Sequence, residues 1–193
     1  MAIFFELSIA MLLFYLITAL WILEFIIFPP KASGGEVNEQ QSFKIILGLV
    51  IFNIALTIGL TSGEWFILEN QAHQIMRYIG LGVYILGFTL RYIAAITLGK
   101  HFTRDINVDE SMRLVSHGVY KILRHPLYLG LFLLVCGVPL FFANYFALII
   151  AIFSMFGVLN RRMKLEEAAM ERLLQDNYRN WKRTRYRFIP FIY

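Results

Sequence analysis

The chain has 193 residues, of which 59% are hydrophobic and 16% charged, with a mean hydropathy of +0.63. Soluble domains average roughly 45–50% apolar residues, so this composition excludes an ordinary water-soluble domain. Long apolar blocks point instead to one integral membrane domain over residues 1–193. The net charge of +5 does not indicate nucleic acid: of 18 Lys and Arg, five lie in 99–126 and nine in 161–193, both flanking apolar blocks, and no readout motif accompanies them.

Residues 3–28 read as a first, retained span, because they lack the basic start and cleavage site of a signal peptide. Pro29 and Pro30 stop it, and Lys31 to Gln41 reads as a short polar loop. A second span is expected over about 43–60 and a third over about 73–98, the latter carrying Arg77 and Arg91. Arg77 lies near the outer end and can snorkel, whereas Arg91 stays open as a ligand, since ionisable groups in membranes are often functional. His73 and His101 have no partner at metal-ligand spacing, and Cys136, the sole cysteine, reads as a small buried hydrophobe.

A polar segment, 99–125, is too long to be a mere turn. Two shorter apolar stretches follow, 126–142 and 145–159, expected as a hairpin that only just crosses. Residues 160–184 are charged but spaced as an amphipathic helix, with Leu165, Ala169, Leu173 and Leu174 on one side. The expected fold is therefore all-α, with about five transmembrane helices. Positive-inside bias places the loop 99–126 and the tail 161–193 in the cytoplasm and the N-terminus outside.

The richest stretch is "LVSHGVYKILRHPLYLG" (114–130). Pro126 suits the first position of a helix, and the amides and dipole of that start favour an anion, with Arg124 and His125 beside it. Taken singly, these residues, Tyr120 and Tyr128 are ordinary interface residues; as a cluster beside a long loop they indicate a ligand site. Farther on, Arg162 and Glu166 share a helix face. They form either a surface ion pair worth only a few tenths of a kcal/mol or a grip on a zwitterionic ligand or acidic lipophile.

The order of that stretch, a hydrophobic hairpin, "RMKLEEAAMERLLQDNYRNW" (162–181) and "FIP" (188–190) resembles the isoprenylcysteine carboxyl methyltransferase family from about Leu98 onward. The resemblance implies a membrane methyltransferase with S-adenosyl-L-methionine held at the cytosolic face by the loop, the helix after RHP and the C-terminal helix. It places cofactor contacts on Leu114, Val115, Tyr120, His125, Pro126, Tyr128 and Glu166, with Met112 and Arg113 in the two preceding positions. Family members commonly carry His where Met112 stands, so a side-chain hydrogen bond there is lost or replaced. Arg162 falls at a position associated with the acceptor. The expected roles follow: the helix start with His125 and Tyr120 holds the methionyl carboxylate, Glu166 the ammonium, residues near Leu114 the adenosine, and Arg162 orients a lipophilic acceptor entering from the bilayer. Membrane lipids are the other expected partners, and no nucleic acid is. Another lipid or small N/O acceptor is an alternative. A transporter or dinucleotide reductase fits less well, because the polar groups gather at one face and no Rossmann fingerprint occurs.

Overall fold

The computed structural model describes residues 8–27, 37–99 and 114–190. Five helices occupy them: α1 (Ile9–Ile27), α2 (Val37–Ser62), α3 (Asn70–Leu98), α4 (Pro126–Phe141) and α5 (Tyr145–Arg183), with a 3₁₀ turn at Gly118–Lys121 before α4. Among the described residues β-structure is limited to two isolated bridges, Ile67 with Asn144 and Leu123 with Tyr186, so the fold is all-α. Large apolar side chains point outward along the helices, among them Ile22, Ile51, Leu86, Ile96 and Phe153. Such a surface needs a lipid solvent.

Three helical segments are long and apolar enough to cross a bilayer: Gln41–Ser62, Gln71–Leu98 and Tyr145–Arg183. The apolar parts of the other two are shorter, Ile9–Glu24 and Pro126–Phe141. The 16 residues of α4 reach about 24 Å at 1.5 Å per residue. Two element boundaries differ from expectation. Helix α2 begins at Val37, inside the stretch expected as polar loop. The expected fifth span and the amphipathic helix are one 39-residue helix, kinked at Gln175 (φ 43°, ψ −119°). No Pro or Gly separates Leu159 from Asn160, so the backbone ladder continues while the composition changes from apolar to charged. The expected stop at Pro29 and Pro30 lies outside the described residues.

Packing centres on α3 and α4, which approach closely because glycines face one another two turns apart on each helix. A Cβ on Gly87 would lie 2.7 Å from the Leu134 nitrogen, and one on Gly130 would lie 2.8 Å from the Gly87 carbonyl oxygen. Gly137 likewise faces the Tyr84 backbone at 3.0 Å. Small residues at such crossings let dispersion contacts hold helices together where lipid removes the hydrophobic drive. Helix α1 leans on this pair through Phe14, stacked on Phe141 at 4.4 Å, and through Thr18, hydrogen-bonded to the Tyr84 hydroxyl at 3.0 Å. Asn53 of α2 reaches Ser154 of α5 at 3.1 Å.

The two ends of the bundle are built differently. At one end Asn144 caps α5 by accepting from the Ala147 N–H at 3.0 Å and donates to the Trp65 carbonyl at 2.9 Å, tying the α2–α3 turn to the α4–α5 turn. At the other end, the segment before α4 and the tail after α5 cross. The Arg124 N–H donates to the Tyr186 carbonyl at 2.8 Å, and the Tyr186 N–H to the Ile122 carbonyl at 2.9 Å. Phe188 is fully buried beyond that crossing, edge-on to Phe132.

Candidate active site

The polar residues concentrate at this second end. Pro126 occupies the first turn of α4, with His125 as the preceding cap residue (φ −126°, ψ 56°). One turn of helix then stacks the Tyr128 ring on the His125 ring, centroids 5.7 Å apart and planes inclined by 28°. From α5, Arg162 is almost fully buried; its Nε donates to the Glu166 carboxylate at 3.0 Å and to the Tyr128 hydroxyl at 3.3 Å. The Tyr128 hydroxyl donates in turn to Glu166. Glu166 also lies 3.6 Å from His125 Nδ1. Four residues named from the sequence, His125, Tyr128, Arg162 and Glu166, thus form one cluster across two helices. The bland alternative, a solvated surface pair, does not describe an arginine that is 2% exposed.

Glu167 organises the adjoining layer. Its Oε1 accepts from Arg124 Nη1 at 2.8 Å and His125 Nε2 at 3.1 Å, and Arg187 Nε stands 3.3 Å away. Burial alone would raise its carboxyl pKa, but the bond from His125 and the charges of His125, Arg124 and Arg187 outweigh that and hold it below the usual carboxylate range. Arg124 therefore serves Glu167 through Nη1, where the sequence suggested an anion ligand. The helix start also offers less than expected: Pro126 has no N–H, and the N–H groups of Tyr128 and Leu129 both return to the His125 carbonyl at 3.2 Å.

Tyr120 is buried beneath this layer; burial first, and the Glu166 carboxylate next, push its phenol above the ordinary range, while Arg91 acts the other way. Its carbonyl accepts from Arg185 Nε at 2.8 Å. Leu114 and Val115 are half-buried, and the Val115 carbonyl accepts from the Trp181 indole at 3.1 Å, so the strand-like 114–116 segment lies along α5 past its kink. Met112 and Arg113 lie outside the described residues.

Several residues here were not singled out by sequence reasoning. Arg187, Trp181 and Arg185 carried no local signal, because their partners Glu167, Val115 and Tyr120 lie far from them in sequence. Tyr178 is fully buried, with its hydroxyl beside the Arg124 guanidinium. The Arg91–Glu24 pair had a signal: two opposite charges isolated in apolar spans. No grouping of His, Cys, Asp and Glu among the described residues suits a metal.

Residues 79–172 match the sequence model of the isoprenylcysteine carboxyl methyltransferase (ICMT) family. A probable protein-S-isoprenylcysteine O-methyltransferase of Oryza sativa subsp. indica is 25% identical over 126 residues, covering 64% of this chain and 66% of the rice protein, just under two thirds of its length. Protein-S-isoprenylcysteine O-methyltransferase A of Arabidopsis thaliana is 28% identical over 164 residues, covering 83% and 78%. A solved structure of the eukaryotic intramembrane Ras methyltransferase ICMT superposes with a TM-score of 0.68 at 22% identity, over 98% of this chain and 70% of that one, which establishes the shared fold.

Proposed function

We propose that this chain, an ICMT-like membrane protein in sequence and fold, is an S-adenosyl-L-methionine-dependent methyltransferase that esterifies the carboxylate of a lipophilic acceptor, of the isoprenylcysteine type. The observation that carries the proposal is the convergence of His125, Tyr128, Arg162 and Glu166 where α4 begins and α5 turns from apolar to charged.

The donor set suits the cofactor's amino-acid end. Glu166 offers a carboxylate to an ammonium group, and the Arg124 guanidinium with the Tyr178 hydroxyl beside it offers donors to a carboxylate. When bound, S-adenosyl-L-methionine supplies an electrophilic methyl on a positively charged sulfur. An acceptor carboxylate is already ionised at neutral pH, so these residues need not remove a proton. Their task is orientation and water exclusion. Arg162, rigidly held by Tyr128 and Glu166, orients the acceptor's carboxylate without long-chain rotamer freedom. Attack of an anion on a cation removes charge, so the apolar walls of α3–α5 favour the step by weakening solvation of the separated charges. A bilayer-soluble acceptor reaches such a site sideways, which accounts for the chemistry being housed among membrane helices. The basic segments on either side of the α4–α5 hairpin support a cytoplasmic position for this end, by the positive-inside bias.

The test is ligand-dependent thermal stability of the purified protein in detergent. S-adenosylhomocysteine raises the unfolding temperature and NADPH does not; stabilisation by NADPH alone refutes the methyltransferase reading and favours a reductase.

A further inference from the structure

Arg91 and Glu24 form a bidentate ion pair between α3 and α1. Arg91 Nε and Nη2 each donate to one Glu24 oxygen at 2.7 Å, and the two residues are 9% and 1% exposed. In apolar surroundings such a pair is a poor stabiliser, because desolvating both charges offsets their attraction and a well-packed hydrophobic pair does as well. Its placement is more informative than its energy. Arg91 Nη1 also donates at 3.3 Å to the carbonyl of Leu127, the neighbour of Tyr128 in the first turn of α4. Gly130 makes this approach possible, since a Cβ there would lie 2.7 Å from the Arg91 Cβ. The buried Tyr120 hydroxyl feels the charges of both Arg91 and Glu166. Arg91 is thus a second guanidinium bordering the site, buried between α1, α3 and the start of α4.

The charges at this end also favour an acid. Arg91, Arg124, Arg162 and Arg187 face three carboxylates, Glu24, Glu166 and Glu167, leaving one excess positive charge among these residues.

We propose that Arg91, held in place by Glu24, is a specificity-determining residue that selects acceptors bearing a carboxylate. Glu24 keeps the buried guanidinium compensated and oriented, and an incoming carboxylate competes for or shares its fork. The inference rests on the methyltransferase reading above and adds to Arg162 a second group that distinguishes an acid from a neutral lipophile of the same shape.

The test measures binding directly, by displacement or thermal shift in detergent with S-adenosylhomocysteine present, using N-acetyl-S-farnesyl-cysteine and its carboxamide as probes. The wild type prefers the acid by at least roughly tenfold, as expected for charge-assisted hydrogen bonds. The double variant Glu24→Gln/Arg91→Gln, which removes both charges of the pair, weakens that preference at least roughly threefold, the remainder being due to Arg162, while binding of S-adenosylhomocysteine is unchanged. The single variant Glu24→Gln, which frees the guanidinium from its competitor, binds the acid more tightly than the wild type. An acid preference that is undiminished in the double variant overturns the role of Arg91 alone. A wild type that does not discriminate acid from amide overturns both this role and the carboxylate-acceptor reading. If the double variant fails to fold, unchanged or weakened acid binding by Glu24→Gln overturns the proposal.

Discussion

Arg162 and Glu166 lie one helical turn apart in α5, joined at 3.0 Å, with the Tyr128 hydroxyl of α4 bonded to both. The pair is therefore tied to a second helix, which distinguishes it from the many i,i+4 pairs that stabilise an isolated helix only slightly. Replacing Glu166 by Gln removes the charge that compensates Arg162 and the group assigned to the cofactor's ammonium. Affinity for S-adenosylhomocysteine should fall by roughly 10–100-fold, the range expected for losing a charge-assisted hydrogen bond, as measured by calorimetry in detergent. The membrane-inserted fraction should not change.

Arg162→Lys separates charge from geometry. The Arg162 Nε serves Tyr128 and Glu166 together, and a lysine ammonium is a flexible point charge without the planar fork. The expected result is a KM for acceptor raised by about tenfold or more, with a much smaller change in cofactor affinity. The reverse split would assign Arg162 to the cofactor.

Glu167 gives a pH dependence of defined sign. Its folded pKa lies below the ordinary value, since His125, Arg124 and Arg187 outweigh its burial. The stability it contributes is therefore fully present above the unfolded pKa of about 4.3 and is lost as pH falls through the depressed folded value. Between about pH 5 and 3, Glu167→Gln should show a shallower fall in unfolding temperature than the wild type. Equal slopes would mean that Glu167 is not the carboxylate held by these cations.

The α3–α4 contact predicts a sharp contrast between two glycines of one helix. Gly87→Ala places a methyl 2.7 Å from the Leu134 backbone nitrogen and should destabilise by about 1–3 kcal/mol. Gly82 has nothing within 4 Å of its would-be Cβ, so Gly82→Ala should be neutral or stabilising. Thermal unfolding of the two variants side by side reads the difference.

Much of this architecture was legible in hydropathy because lipid imposes a simple rule, apolar blocks of membrane length, and because Pro126 marks a helix start unambiguously. The cluster of His125, Tyr128, Arg162 and Glu166 was legible too, since each residue sits at a helix end or on a helical repeat. Hydropathy was misleading in α5, where it divided one helix into two at a change of composition that the backbone does not register. Propensity rules gave no access to Arg187, Arg185 and Trp181, whose roles depend on the tail crossing the segment before α4, a tertiary event. The amides at the α4 start illustrate a further limit: a helix N-terminus reads as an anion site until its N–H groups are traced to the His125 carbonyl.

Transfer of labelled methyl from S-adenosyl-L-methionine to N-acetyl-S-farnesyl-cysteine by the purified protein in lipid examines the central claim most directly. The account predicts incorporation as a base-labile ester that releases labelled methanol, and loss of that signal in Glu166→Ala. Label recovered in a base-stable product, or ester formation undiminished in Glu166→Ala, would contradict it.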